Sequence, residues 1–399
     1  MKKNKLLTTI LIVSLLFISL LILSSNTIEK FQATTPTSQV YDIIIVAGQS
    51  NAMGYGFRNA CDISNSLPGC TTAADRIRHN NNSTRTTAIT NIANSYESTN
   101  PRIKQFSGEN AAVEANRNKI IDMSEPLQHF QARATRYVSF TFHFAKEYLA
   151  RTSMGSRQVL IVGCGWPGSS MFPALSPTGD RRFWRKPIAT DNLTLSLYNK
   201  TVQRLRNVKN QLAPTNNSRV VAFLWHKGET DISSTVRSEA NKTAYKTALK
   251  ESLIGMRTEI MGIFNNNNSR YTYPILLGGL SFDNNINRVT GVAMTPTVPP
   301  TVPPATPLPE LTGVRLMSQV ISELSVPTDP NYIPKSAFVS SGSLPTVGRP
   351  TYDFSRHLEG NSTRDPNGNL IGNNEDVHFS ATANREFGKR YFFYYNQIK

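Results

Sequence analysis

The chain is poor in the residues that bind metal ions and form disulfides. Its 399 residues include three cysteines and six histidines. The histidines show no ligand-like spacing, and so we expect neither a metal ion nor any other cofactor. No internal repeat is visible, which excludes the stacked-repeat architectures.

Acidic residues are also scarce, because 27 Asp and Glu stand against 43 Lys and Arg and give a formal charge of +16. Such a charge raises the question of nucleic acid, but the basic residues are scattered and accompany no known nucleic-acid module. We therefore expect no nucleic-acid partner. Two interpretations of the charge stay open: a solvated basic surface, or attraction to an anionic polysaccharide or cell surface.

A long hydrophobic run occurs at residues 6–23, after Lys2, Lys3 and Lys5. At 1.5 Å per residue it can span most of a roughly 30 Å hydrocarbon core. A clear small-x-small cleavage site is lacking, so residues 1–25 are either a signal peptide or an uncleaved signal anchor. With 26–40 as a linker, we expect the rest of the chain to be secreted, or membrane-anchored with its domain extracellular or lumenal.

The three cysteines fit such an oxidising compartment. Cys61 and Cys70 bracket a loop with Pro and Gly and are a disulfide candidate. Cys164 follows a strand-like run and is expected to be a buried free thiol. Glycosylation sequons, which matter only in a host that glycosylates, occur at Asn81, Asn82, Asn192, Asn199, Asn216, Asn241, Asn267 and Asn361.

Strand-like and helix-like segments alternate along the chain, which predicts one α/β domain over 41–399 with a parallel sheet covered on both faces. The predicted strands are 42–47, 158–163, 219–225, 274–279 and 337–340. The predicted helices are 136–151, 194–211, 239–261, 311–324 and 380–392. Two insertions interrupt this pattern: a long surface loop at 56–120, and an extended proline-threonine tract at 294–309.

A serine follows the first predicted strand. The apolar run from Asp42 ends in Gly48-Gln49-Ser50-Asn51, and ligands of open α/β sheets bind beyond the carboxyl ends of such strands. Ser50 is therefore a candidate nucleophile. The alternative is a turn residue that bonds nearby backbone.

A serine nucleophile needs a base and an acid that orients the base. The far end of the chain offers both, because His378 follows Glu375 and Asp376 on a loop that leads into the last predicted helix. A carboxylate two or three residues away can bond the imidazole while the imidazole faces a distant serine. The alternative for His378 is a solvated or capping side chain.

Four motifs occur in order along most of the chain: Glu125 to His129, and three others at 48–51, 224–231 and 376–380. Together they resemble the SGNH hydrolase superfamily, and within it the sialate O-acetylesterase and acetylxylan esterase branch, carbohydrate esterase family six. The resemblance implies an SGNH-hydrolase-like three-layer α/β/α sandwich with a central, mostly parallel sheet. It also implies a carbohydrate O-acetylesterase with a Ser-His-acid triad.

The chain departs from the family pattern at two places. The pattern has Asp three residues before the base, where this chain has Glu375. We prefer Glu375 as the triad acid and keep Asp376, two residues before His378, as the competitor. The second departure is Lys227, where the family has Gln.

The resemblance also implies how an oxyanion is held. The donors are the Ser50 amide, the amide of Gly168 in a glycine-rich loop, and a third-motif side chain. Lys227 either supplies that third donor or points away. Glu229, as a buried carboxylate, is expected to bind and orient Gln49 or Lys227.

We therefore expect a serine esterase that removes O-acetyl groups from an acetylated glycan. Two alternatives stay open: a catalytically weak carbohydrate-binding surface protein on the same scaffold, and a short-chain lipid esterase. The sequence leaves the sugar open between sialic acid, xylan and others, because specificity resides in irregular loops.

Overall fold

A computed structural model describes residues 37–54, 56–57, 99–108, 116–130, 137–153, 155–173, 181–214, 216–231, 239–264, 272–280, 311–341, 379 and 381–399. The predicted signal or anchor segment, the candidate disulfide Cys61–Cys70 and the tract at 294–309 lie outside these residues. Glu375, Asp376 and His378 lie outside them as well. Within the described ranges, no helix combines the length and the apolar character needed to cross a membrane.

The described residues form a mixed seven-stranded sheet, a two-stranded ribbon and five α-helices. The strands are β1 Tyr41–Gly48, β2 Gly56–Phe57, β3 Ile103–Phe106, β4 Ile120–Asp122, β5 Tyr137–Val138, β6 Gln158–Gly165, β7 Arg219–His226, β8 Ile275–Gly278 and β9 Ser336–Val339. The helices are α1 Phe140–Arg151, α2 Leu197–Asn210, α3 Glu239–Ile263, α4 Leu311–Glu323 and α5 Ala381–Ile398.

The main sheet has the strand order β4-β3-β6-β1-β7-β8-β9. Its neighbouring strands run parallel except for β3 and β4, which are antiparallel. Strands β2 and β5 form the separate antiparallel ribbon. Strand β1 lies at the centre, between β6 and β7, so the chain segments that follow these three strands emerge side by side.

Helices cover both faces of the sheet. Along β1, Ile43 and Ile45 contribute to a core shared with α2, α3 and α4. Ile44 and Val46 contribute to a second core shared with α1 and α5. A strand buried on both faces reads as a continuous apolar run, as the sequence of β1 does. The predicted three-layer α/β/α sandwich is confirmed.

All five predicted strands and all five predicted helices are present, but the predicted surface loop over 56–120 is wrong at its carboxyl end. There β3 pairs in parallel with β6, and β4 begins at Ile120. The strand β3 has four residues, and its buried Gln105 interrupts the apolar pattern. The side-chain Nε2 of Gln105 donates to the Ser124 carbonyl at 3.0 Å. This is a tertiary hydrogen bond, which the local sequence pattern does not indicate.

A polar cluster fixes the amino end of β1, at the edge of the sheet opposite to Ser50. The buried Asp42 carboxylate accepts hydrogen bonds from the Tyr148 hydroxyl at 2.7 Å, from Arg157 Nε at 2.8 Å and from Arg219 Nε at 2.9 Å. These partners belong to α1, to the residue before β6, and to β7. The cluster therefore ties the central strands to the helical layer.

Cys164 is a buried free thiol in β6, as predicted. Its burial raises the pKa of the thiol to about 12. Because the thiolate is the reactive form of cysteine, burial and the raised pKa both disfavour reaction of Cys164 in the folded protein.

Candidate functional site

Three chain segments meet beyond the carboxyl ends of β1, β6 and β7. The Gln49 amide donates to the His226 carbonyl at 3.2 Å, and the Trp166 amide donates to the Gly48 carbonyl at 3.0 Å. The Met171 amide donates to Asp231 Oδ1 at 2.9 Å. The serine turn at 48–51, the loop at 166–171 and the loop at 226–231 are thus joined where ligands of open α/β sheets bind.

The serine turn requires glycine at its start. Gly48 has φ +138°, and a Cβ atom there would lie 2.0 Å from the His226 carbonyl oxygen. The chain then turns back, since the Met53 amide donates to the Gln49 carbonyl at 3.1 Å. Ser50, which is 6% exposed, stands at the beginning of this turn. It lies two residues beyond the end of β1, and its role as a nucleophile stays a prediction.

Asn51 connects this turn to the far end of the chain. Its Nδ2 donates to Glu229 Oε1 at 2.7 Å. Its Oδ1 accepts the amide hydrogen of Phe379 at 3.1 Å, across 328 positions of the sequence. Phe379 is buried and directly follows His378. The residue after the candidate nucleophile is therefore hydrogen-bonded to the residue after the candidate base.

The Glu229 carboxylate is buried, and its partners are Asn51 and His226. His226 Nε2 lies 3.4 Å from Glu229 Oε1. We expected Glu229 to bind Gln49 or Lys227, and the structure shows it beside Asn51 and His226 instead. Burial raises the pKa of Glu229, but the bond and charge of His226 and the bond from Asn51 outweigh it, and the pKa is lowered. The lowered pKa favours the ionised form of Glu229.

His226 is enclosed by aromatic side chains. Its Nδ1 lies 3.3 Å from the hydroxyl of Tyr391, which donates to the Trp225 carbonyl at 3.1 Å. The rings of Phe379 and Phe387 lie 5.6 and 5.5 Å from the imidazole, centroid to centroid. The histidine is fully buried, which distinguishes it from a base that must reach substrate.

Gly278 makes room for the contact between His226 and Tyr391. A Cβ atom at this position would lie 2.0 Å from the Tyr391 hydroxyl oxygen and 2.3 Å from His226 Nδ1. Because Gly278 ends β8, the backbone of the sheet itself forms one wall of the His226 enclosure.

The Lys227 ammonium is fully buried and contacts the equally buried carboxylate of Asp231. Asp231 also accepts a bond from the Tyr245 hydroxyl at 3.3 Å. Burial, reinforced by the Asp231 charge, raises the pKa of Tyr245 well above its usual value. Beside this pair, Gln49 Oε1 accepts the Thr230 amide at 3.4 Å. These contacts shape the loop that faces the serine turn.

Gly168 lies in the loop after β6 with φ +62°, a left-handed conformation that favours glycine. Two serine bonds stiffen this loop: Ser169 Oγ donates to the Trp166 carbonyl and accepts from Trp184 Nε1, each at 2.8 Å. The guanidinium of Arg182 lies 3.9 Å from the centroid of the Trp166 ring. Sequence analysis did not identify Arg182, because only tertiary pairing brings residues 182–184 against the loop.

The motif from Glu125 to His129 has a structural role beside the site, because its side chains bind backbone amides of neighbouring segments. Glu125 accepts the Leu127 and Ser139 amides at 2.9 and 2.8 Å. His129 Nδ1 accepts the Gly165 amide at 2.8 Å. His129 is fully buried, so the motif holds the end of β6 and the start of α1 in place.

Comparison with known families gives a match over most of the described domain. The family described as "Carbohydrate esterase, sialic acid-specific acetylesterase" matches residues 40–263, which is more than half of the 399 residues. No curated protein sequence matches the chain.

Solved structures give a likeness in fold. The crystal structure of NanS is 17% identical, covers 91% of this chain and 98% of its own, and has a TM-score of 0.52. An Arabidopsis thaliana protein is 14% identical, with 90% and 98% coverage and a TM-score of 0.48. A carbohydrate acetylesterase from Xanthomonas citri is 15% identical, with 90% and 56% coverage and a TM-score of 0.41. The NanS likeness indicates a shared fold.

Proposed function

The chain belongs to the carbohydrate esterase family of sialic acid-specific acetylesterases, and from that premise we propose that Ser50 and His378 remove O-acetyl groups from sialic acid. The chain is a carbohydrate O-acetylesterase, and the proposal concerns the residues that carry out the reaction and the sugar that is deacetylated.

The observation that carries the proposal is the hydrogen bond between Asn51 and Phe379. Each of these residues is the covalent neighbour of a proposed catalytic residue, Ser50 in one case and His378 in the other. Consecutive Cα atoms are about 3.8 Å apart. A direct bond between the neighbours therefore supports a contact between the Ser50 hydroxyl and the His378 imidazole.

In the proposed reaction, Ser50 Oγ attacks the acetyl carbonyl carbon while His378 takes the hydroxyl proton. The tetrahedral intermediate then collapses: the bond between the acetyl carbon and the sugar oxygen breaks, and His378 gives its proton to that oxygen. Water, deprotonated by His378, attacks the acetyl-Ser50 ester. Breaking of the ester bond releases acetate and returns the proton to Ser50.

The developing oxyanion is assigned to the backbone amides of Ser50 and Gly168, because their loops are joined by the bond from Trp166 to Gly48. We assign Lys227 to its ion pair with Asp231 instead. For the acid that orients His378, Glu375 is preferred over Asp376, since it has the family's spacing of three residues.

Two observations favour sialic acid over a neutral sugar. One is the family description, which specifies sialic acid. The other is the positive charge of Arg182 beside Trp166, in the loop that carries Gly168. A sialic acid carries a carboxylate, which a guanidinium can bind in bidentate fashion, whereas acetylxylan offers hydroxyl and acetyl groups there.

We expect acetate release from O-acetylated sialic acid with a kcat/KM at least about tenfold above that for acetylxylan, since one charge-assisted contact contributes about 1.5 to 3 kcal/mol. Replacing Arg182 by Gln is expected to raise KM for the sialate and to leave hydrolysis of an uncharged acetyl ester nearly unchanged. Released acetate measures both reactions.

Three results would redirect this proposal. Preference for acetylxylan would refute the sialate assignment. Faster hydrolysis of an octanoyl than of an acetyl ester would indicate a lipid esterase. Binding of glycans without acetate release would indicate a carbohydrate-binding protein on this scaffold.

A further inference from the structure

We propose that Asn51 is a positioning residue, which holds the segment carrying His378 against the turn carrying Ser50 and is itself fixed by a buried chain of polar side chains. This inference rests on the proposed function. It concerns a residue that touches no reacting atom and acts through the backbone of Phe379.

The first step is that the bonds to Phe379 and Glu229 determine the orientation of the Asn51 side-chain amide. Its Oδ1 faces the Phe379 amide, a donor, and its Nδ2 faces the Glu229 carboxylate, an acceptor. A flipped amide would set donor against donor and acceptor against acceptor, so both bonds would be lost together. The charge on Glu229 thus determines that Asn51 offers an oxygen to residue 379.

The second step is that the carboxylate is itself held. Glu229 lies within 3.4 Å of His226, and His226 lies 3.3 Å from the Tyr391 hydroxyl, which donates to a carbonyl of β7. Glu229 lies on the loop after β7, and Tyr391 lies on α5, the helix that follows the His378 segment. The chain therefore anchors Asn51 to two rigid elements.

The third step is that this connection is shielded from solvent. Asn51, His226 and Tyr391 are fully buried, and aromatic rings of Phe379 and Phe387 pack around the imidazole. A hydrogen bond in the low-dielectric interior of a protein is electrostatically stronger than the same bond in water. Such a connection suits a role in which two distant parts of the chain must keep one relative position.

The position of the base matters far more for the chemical step than for substrate binding. A displacement of about 1 Å in a catalytic group can cost about a hundredfold in rate. A residue that only positions the base should therefore affect kcat and leave KM largely unchanged. A residue that binds the sugar should affect KM first.

The test measures kcat and KM for an uncharged acetyl ester in variants of the full-length chain. Asn51→Ala removes both bonds, and we expect kcat to fall roughly tenfold to a hundredfold with KM within about twofold. Asn51→Asp keeps the shape and the acceptor for Phe379, but it sets two carboxylates against each other. We expect a loss of similar size.

A double variant that exchanges the amide and the carboxylate tests whether the activity lost in Asn51→Asp can be restored. In the double variant Asn51→Asp with Glu229→Gln, the amide and the carboxylate exchange places and the formal charge is unchanged, so the new amide at position 229 can donate to the new carboxylate at position 51. We expect kcat to recover at least about fivefold relative to Asn51→Asp alone, because the mutual repulsion becomes a hydrogen bond. A swap no better than the single variant would overturn the pairing.

The matched control is Asn216, a second bridging asparagine at the opposite edge of the sheet. Its Nδ2 donates to the Gln39 carbonyl at 2.7 Å, and its Oδ1 accepts the Ser218 amide at 2.8 Å. Asn216→Ala should lower the free energy of unfolding as Asn51→Ala does, while kcat stays near the wild-type value. Equal losses of kcat in both variants would show that Asn51 contributes to stability alone.

The inference and the proposed function fail in different ways. Wild-type turnover by Ser50→Ala would refute the proposed nucleophile. An inactive Ser50→Ala together with an unchanged kcat in Asn51→Ala and Asn51→Asp would refute the positioning role and leave the nucleophile intact.

Discussion

Replacing Ser50 by Ala is expected to lower kcat for a small acetyl ester by at least about 10⁴-fold, the order of loss seen when a serine hydrolase is deprived of its nucleophile. The fold should survive, because the turn is held by backbone bonds such as that from Met53 to the Ser50 carbonyl at 3.1 Å. Acetate release and the urea unfolding midpoint measure the two effects.

Ser218 provides the control for this substitution. Its hydroxyl accepts the Tyr41 amide at 2.7 Å, at the amino end of β1. Because the hydroxyl also donates to Asn216 Oδ1, Ser218→Ala removes two hydrogen bonds and should cost about 1 to 3 kcal/mol of stability, with turnover unchanged. Turnover near the wild-type rate in Ser50→Ala would exclude Ser50 as the nucleophile.

Replacing Lys227 by Met is expected to have the largest effect on stability. The substitution leaves the fully buried Asp231 carboxylate without its counter-ion, and breaking a buried ion pair in this way costs about 3 to 5 kcal/mol. A domain stable by about 5 to 15 kcal/mol would lose a large part of that margin. Equilibrium unfolding in urea measures the change.

Two further variants show whether the uncompensated charge is the cause. Lys104→Met breaks an ion pair whose Asp122 side chain is 80% exposed, so the expected cost is below about 1 kcal/mol. Adding Asp231→Asn to Lys227→Met removes the buried charge and keeps an acceptor for the Met171 amide. It should recover much of the lost stability. Equal effects of Lys227→Met and Lys104→Met would contradict the buried pair.

The main elements of the fold could be predicted because their sequences carry the periodicity of the structure they form. The strand β1 is a continuous apolar run, and the helix α2 alternates apolar and polar residues with a helical period. The strand β3 could not be found in this way. It is four residues long and contains a buried glutamine, and one hydrogen-bond partner of that glutamine, Ser124, lies 19 positions away.

Site residues could be proposed from the sequence where their residue type suggests a chemical role. They could not be proposed where the role depends on hydrogen bonds to residues far away in the chain. Ser50 stands out because it follows a buried strand in a glycine-flanked turn. Asn51 does not, since an asparagine in a turn usually bonds nearby backbone. Its bonds to Glu229 and Phe379 cross 178 and 328 positions. The sequence likewise left two alternatives for Lys227, and the buried Asp231 is the partner that its ammonium contacts.

The most direct test of the central claim is the rate at which a fluorophosphonate, which reacts with activated serines, modifies Ser50. Tandem mass spectrometry identifies the modified residue in the wild-type chain and in His378→Gln. We predict a single adduct on Ser50 in the wild type and a rate at least about a hundredfold lower in His378→Gln, because general-base catalysis contributes about 10² to 10⁴. An adduct on another serine, or equal rates of Ser50 modification in the two chains, would contradict the account.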